Sequence, residues 1–425
     1  MLKNHPRGLL VLFFTEMWER FGFYIMMAIF VLFMDEKLGW DDARKGNFYG
    51  WFLGAVYFMP IAGGWLGDRI LGHRNTIKVG AILMMFGYTA LAFSSRMQLA
   101  PFYAGLILVA VGTGVFKANI SVLVGNLYEE GSKLKDTAFN IFYMGVNVGA
   151  MLAPLAATFI HNRFNSYNLS FGAAALGMIF SIAIFQAGKK HLIPASIGAP
   201  GAVTQSANER GTSFSAEDRQ RVGTLVTLFC IVIFFWIAFY QNGFALTLFA
   251  QRSTAVYAYL KPETYQFFGP FFILVLTPLL VMAFGKMRDA GKEPSSAIKI
   301  LLGMFISGFS MLIMVFASLA GGNRDLNIMS PLWLVSSYLV VTVAEILVSP
   351  MGLSFVSKVA PRRMRGLMMG FWFSATAAGS YGSGLLGKYY STIVHHNYFL
   401  IIAALLFFSS MLVLLFLKKL NRFSG

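Results

Sequence analysis

Long apolar stretches separated by short polar gaps run the length of this chain. A helix rises 1.5 Å per residue, so about 20 apolar residues cross the hydrocarbon core of a bilayer. Twelve stretches reach that length, at roughly 9–34, 46–70, 75–94, 99–124, 137–160, 168–187, 222–249, 264–284, 297–319, 331–356, 366–389 and 397–417. The pattern predicts an all-α polytopic membrane protein. No cleavable signal peptide is expected, because the first apolar run has the length of a span and carries charges of its own.

Composition sharpens this picture. Of the 425 residues, 57% are hydrophobic and 12% charged, against about a quarter charged in soluble domains. Such a balance excludes a soluble enzyme, a disordered chain and a disulfide scaffold. Cys230 is the single cysteine, so no internal disulfide is possible, and no Cys/His cluster with metal-ligand spacing occurs. The net charge of +16 would suggest nucleic acid on a soluble protein. Here the basic residues sit in the gaps between spans, so topology explains them and no nucleic-acid partner is expected. With the N-terminus inside, 23 Lys and Arg fall on the cytoplasmic side and nine on the other. Both termini are therefore expected to be cytoplasmic, in the cytoplasmic (inner) membrane.

The longest gap, 188–221, is rich in Pro, Gly, Ser and charge and reads as a cytoplasmic connector between an N-terminal six-helix bundle, 1–187, and a C-terminal one, 222–425. Six plus six spans around a connector resembles the major facilitator superfamily fold, in which substrate binds near the midplane. The turn Gly64-Trp65-Leu66-Gly67-Asp68-Arg69-Ile70-Leu71-Gly72-His73-Arg74 resembles that superfamily's loop motif. Asp68, Arg69 and Arg74 would then latch a cytoplasmic gate, the plainer reading being a basic turn.

Charges within spans are costly, so each needs a partner or an aqueous cavity. Span one holds Glu16, Glu19 and Arg20 at i, i+3 and i+4, one helical stripe that Tyr24 extends by a turn. Two carboxylates beside one guanidinium leave a surplus acid that can take up a proton; the alternative is a static buried salt bridge. Lys117, alone on span four, would pair with that surplus acid or bind a substrate carboxylate. Asn140, Tyr143 and Asn147 form a polar stripe on span five, suited equally to helix packing and to substrate. Glu345 lies five residues before Pro350 in span ten. An acid beside a bendable helix suggests a substrate ammonium site.

Together these segments resemble the proton-dependent oligopeptide transporter family. Thr15-Glu16-Met17-Trp18-Glu19-Arg20-Phe21-Gly22-Phe23-Tyr24 is similar to its first-helix motif, and Phe142-Tyr143-Met144-Gly145-Val146-Asn147-Val148-Gly149 to its fifth-helix signature. The Lys117 segment, Phe235-Trp236 with Gln241-Asn242-Gly243, and Glu345 through Pro361 resemble the fourth, seventh and tenth helices. The resemblance implies proton coupling through Glu16, Glu19, Arg20 and Lys117. It implies substrate contacts from Tyr24, Lys117, Asn147, Trp236, Tyr240 and Glu345. Three positions depart from the family pattern: Met27 stands at a usual arginine, Tyr240 at a usual acid, and Gly269 at a usual asparagine before Pro270. Losing the arginine and the acid together keeps the charge balanced.

The implied activity is proton-coupled symport that imports di- and tripeptides or peptide-like solutes by alternating access. The protein would act as a monomer among membrane lipids, with protons as coupling ion and no other cofactor. Export of a drug or metabolite on the same fold is the alternative. An enzyme is not expected, since Ser, His and Asp appear in no catalytic spacing.

Overall fold

The computed structural model describes residues 5–129, 132, 134–192, 215–361 and 364–422. Most of the predicted connector, and the loop residues Lys3, Lys133, Arg210, Arg362 and Arg363, lie outside them. Among the described residues, twelve helices have 20 residues or more: α1 (Arg7–Leu32), α2 (Asp42–Leu66), α3 (His73–Ala92), α4 (Ala100–Asn126), α5 (Leu134–Phe164), α6 (Tyr167–Gly188), α7 (Ala216–Phe239), α9 (Phe268–Asp289), α10 (Ser296–Ala320), α11 (Pro331–Val359), α12 (Arg365–Gly387) and α13 (His395–Leu415). Two are short, α8 (Ala245–Arg252) and α14 (Leu417–Asn421). Ten helical segments are long and apolar enough to cross a membrane. The long helices α2 and α12 fall below that apolar standard: α2 opens on Asp42, Arg44 and Lys45, and α12 is rich in glycine and serine.

Starts and stops follow local chemistry. Asp41 caps α2 by accepting from the Arg44 N–H, and Ser215 and Asp218 form a capping box at α7. The span expected over 222–249 falls within the apolar helical segment Ala216–Arg252, which carries a 3-10 turn at Tyr240–Gly243 between α7 and α8. The break is held by side chains. Gln241 is fully buried and donates to the Ser383 carbonyl and hydroxyl at 3.0 Å, while Tyr398 donates to its oxygen at 2.9 Å. Tyr338 donates to the Asn242 carbonyl at 3.1 Å. A buried amide satisfied from α12 and α13 offsets the helical bonds lost at the turn.

The chain divides into two compact units, Met1–Ala199 with Val256–Phe271, and Pro200–Ala255 with Phe272–Gly425. In the first, α1 packs on α5 and α6, α3 on α4 and α6, and α2 on α4. The α2–α4 contact is backbone to backbone: a Cβ on Gly63 would lie 2.6 Å from Val115 Cα, and one on Gly114 would lie 2.6 Å from the Met59 carbonyl carbon. In the second unit, α7 packs on α12 and α13, and α10 on α11 and α13.

Val256–Phe271 belongs to the second half by sequence yet clusters with the first unit. Polar contacts to α5 account for this. The hydroxyls of Thr158 and Thr264 are 2.6 Å apart, His161 Nδ1 is 2.7 Å from Glu263 Oε1, and Asn162 donates to the Ala258 carbonyl. His161 is in the last turn of α5, bonded to a fully buried acid.

Two outcomes test this packing. Gly114→Val, which drives a branched side chain into the Met59 backbone, is expected to destabilise the protein by about 1–3 kcal/mol, read by thermal unfolding in detergent. At the α9–α10 turn, hydrogen bonds from Arg288 and Lys299 hold the Glu293 carboxyl at about 2, below its ordinary 4.5. A depressed carboxylate contributes stability above its unfolded value and loses it as pH falls towards the folded one. Amide protection at residues 288–295, corrected for intrinsic exchange, should hold down to about pH 4.5 and then decline.

Candidate functional site

The predicted stripe on α1 is real and dry. Glu16, Glu19 and Arg20 are 3%, 0% and 4% exposed. Arg20 lays Nε and a terminal nitrogen on the two oxygens of Glu19, and its Nε lies 3.3 Å from Glu16 Oε1. The guanidinium also sits 5.1 Å from the centroid of Phe23. A fork donating to one carboxylate is the strong form of this pair. Glu16 is the less satisfied acid, and its Oε2 is buried with no hydrogen-bond partner.

The fourth charge comes from α4. Lys117 lies within electrostatic range of Glu16, Glu19 and Arg20. The expected direct pairing with the surplus carboxylate is not formed: among the described residues Lys117 makes no ion pair, and its Nζ sits 5.1 Å from the centroid of Tyr57 on α2. The aromatic face takes up part of the positive charge without neutralising it. Two acids and two bases thus share one region of the first unit, with Glu16 and Lys117 the two whose pairing is incomplete.

Tyr24, half-buried, follows Arg20 by a turn. The α5 stripe divides. Asn147 is buried and donates to the Tyr143 carbonyl of its own helix at 2.9 Å, whereas the Asn140 and Tyr143 side chains are exposed. Met27 is buried, and its carbonyl accepts from Gln266 Nε2 at 3.5 Å.

In the second unit, Trp236 stacks on Tyr240 with centroids 5.8 Å apart at 27°, and Phe235 and Phe239 meet its edges. The Trp236 indole N–H is buried without a partner. Glu345 is half-buried in α11 and makes no ion pair or hydrogen bond among the described residues. Gln241, adjacent to Tyr240, is saturated by Ser383 and Tyr398. The Trp236 indole N–H and the Glu345 carboxyl keep hydrogen-bonding capacity among the described residues, whereas Gln241 is used in holding the turn.

The loop motif forms a π-helical turn, Gly67–Leu71. Asp68 is exposed and faces His73 at 3.6 Å, Arg69 is exposed, and Arg74 donates to the Leu192 carbonyl. Asn119 of α4 does the holding. Its amide donates to the Gly63 and Val115 carbonyls at 2.8 Å, and its oxygen lies 2.7 Å from His73 Nδ1.

Tyr57, Tyr88 and Asn119 were not singled out by sequence. Tyr88 on α3 is fully buried within electrostatic range of Glu19 and Arg20. Each meets its partners on neighbouring helices, so nothing in the local sequence marks it.

The comparisons with known proteins agree with one another. A sequence profile for the POT family matches residues 74–209 and 195–401. The uncharacterised transporter YclF of Bacillus subtilis is 32% identical across 88% of this chain and 86% of its own. The peptide transporter YePEPT of Yersinia enterocolitica is 30% identical across 91% of this chain and 88% of its own. A crystal structure of a variant peptide transporter POT in complex with alafosfalin superposes with a TM-score of 0.88 at 28% identity, covering 100% of this chain and 97% of that one.

Arg20 carries the charge balance of the buried set, so removing it leaves two acids against Lys117 alone. Arg20→Met is expected to cost about 3–5 kcal/mol in thermal unfolding, from uncompensated buried carboxylates. Arg20→Lys should recover part of that loss and not all, because an ammonium cannot present the planar fork.

Proposed function

Because the chain belongs to the POT family, we propose that it is a proton-coupled symporter importing di- and tripeptides or peptide-like solutes. The carrying observation is the unfinished pairing in the first unit. Glu16 keeps one buried oxygen without a partner, and Lys117 lies in range of it without ion-pair contact. A proton entering from outside binds at the Glu16/Glu19 pair and removes one negative charge. Lys117 is then left with less compensation, and a substrate carboxylate supplies it. Release of proton and substrate to the cytoplasm restores the starting balance. The membrane potential adds about 2.3 kcal/mol per 100 mV for each charge carried inward, sufficient for uphill accumulation.

Glu345 supplies, in the second unit, the complement to a substrate ammonium, and the Trp236–Tyr240 stack supplies an apolar and cation-attracting face beside the α7 break. With Met27 in place of a cation, Lys117 is the cation left to meet a substrate carboxylate, and carboxyl-modified peptides belong in a substrate screen. Tyr24 and Asn147 are assigned to substrate contact within the first unit. The protein is a multi-pass membrane transporter. Both termini are assigned to the cytoplasm of an inner membrane on the distribution of Lys and Arg, and the working form is assigned as a monomer.

Proteoliposomes separate coupling from translocation. Under an inward proton gradient, wild type should accumulate labelled dialanine uphill. Glu16→Gln should lose that accumulation while retaining counterflow, and Lys117→Ala should lose accumulation and bind the dipeptide more weakly. Unchanged uphill accumulation in both variants would remove the coupling role. Substrate accumulating inside inverted vesicles with an acidic lumen would identify an exporter.

A further inference from the structure

Tyr88 is a polar group that neither the fold nor the proposed cycle has used. Its ring is fully buried on α3, and its hydroxyl has no hydrogen-bond partner among the described residues. A tyrosine with an idle buried hydroxyl is worse than phenylalanine at the same place, so packing alone does not account for it. Its surroundings do. A Cβ on Gly22 would lie 3.3 Å from Tyr88 Cε2, which puts the ring against α1 one helical turn beyond Glu19. Glu19 and Arg20 are both within electrostatic range of the phenol.

We infer that Tyr88 is a positioning residue for proton coupling, its hydroxyl being the hydrogen-bond partner that the Glu19 carboxyl takes when Arg20 releases it. This rests on the symport reading above. In the arrangement described, both Glu19 oxygens are occupied by the Arg20 fork and the hydroxyl waits unused. A proton that settles on Glu19 itself removes the charge the Arg20 fork grips, and a released carboxyl in a buried site needs a new partner at once. A phenol suits both protonation states, donating to a carboxylate and accepting from a carboxylic acid. Serving both lowers the barrier between them without adding a charge.

The groups facing this position are few. α1 brings Glu16, Glu19 and Arg20, and α4 brings Lys117 into range of the same set. α6 closes the side at Gly22 with the Ala174 carbonyl and Met178, which do not titrate. Tyr88 is thus the neutral hydroxyl placed beside a four-charge cluster.

Tyr88→Phe in the full-length protein tests this, with wild type and Glu19→Gln alongside. Thermal unfolding in detergent should be unchanged or higher, since an idle polar atom is removed. Counterflow of dialanine in proteoliposomes should stay within about twofold of wild type. Uphill accumulation under an inward proton gradient should fall by about tenfold, the worth of one hydrogen bond to a charged group, and the pH profile of uptake should shift. Adding Tyr88→Phe to Glu19→Gln should change nothing further. A Tyr88→Phe protein that unfolds at markedly lower temperature, or fails to fold, contradicts the inference by giving the hydroxyl a structural partner. A coupled wild type whose pH profile and accumulation survive Tyr88→Phe overturns it alone. A wild type that equilibrates dialanine without accumulating it overturns the symport reading, and this inference with it.

Discussion

The cost of holding charge out of water organises the first unit. Glu16, Glu19 and Arg20 lie on one face of α1 where solvent does not reach, and each would be strongly unfavourable alone. Their spacing along a single helix makes the compensation local, so it forms with the helix and does not wait on distant packing. The close packing of α1 against α5 and α6 then keeps the set dry. A dry set responds to a single proton far more sharply than a solvated one.

Buried polar groups in this protein fall into two kinds. Some are saturated. Gln241 is filled by Ser383 and Tyr398, Asn119 ties α2, α3 and α4 together through Gly63 and His73, and Lys45 lies fully buried between Asp35 and Asp42. These groups hold helices and have no spare valence for a ligand. Others keep an unused atom: Glu16 Oε2, the Tyr88 hydroxyl and the Trp236 indole N–H, while Glu345 has no ion-pair partner among the described residues. Unused capacity in a buried site costs stability, and such groups persist where a proton, a substrate or a second conformation completes them. Glu16, Tyr88, Trp236 and Glu345, all given roles in transport above, are of this second kind.

Sequence exposed what depends on local spacing. Ten spans follow from apolar run length, α2 and α12 being long helices that are less apolar, and the Glu16–Glu19–Arg20 cluster follows from three charges at helical spacing in α1. The break at Tyr240–Gly243 was hidden, because an unbroken apolar run masks a turn whose support comes from α12 and α13. Asn119 went unread for the same reason: its partners are Gly63 and His73, both distant in the chain. Lys117 stands out in the sequence as a charge within a span, but its contact with Tyr57 does not, since only the approach of α2 brings that ring to it. The clustering of Val256–Phe271 with the first unit rests on Thr158, His161 and Asn162, and no periodicity in either segment announces it.

The central claim is that a buried carboxyl of α1 gains and loses a proton during transport. Infrared difference spectroscopy on the purified protein, comparing states with and without a bound dipeptide, reads this directly through the carboxylic-acid C=O band. The account predicts a change in that band on dipeptide binding, absent in Glu16→Gln and altered in Glu19→Gln. A band that does not respond to the dipeptide, or one that survives intact in both variants, would contradict it.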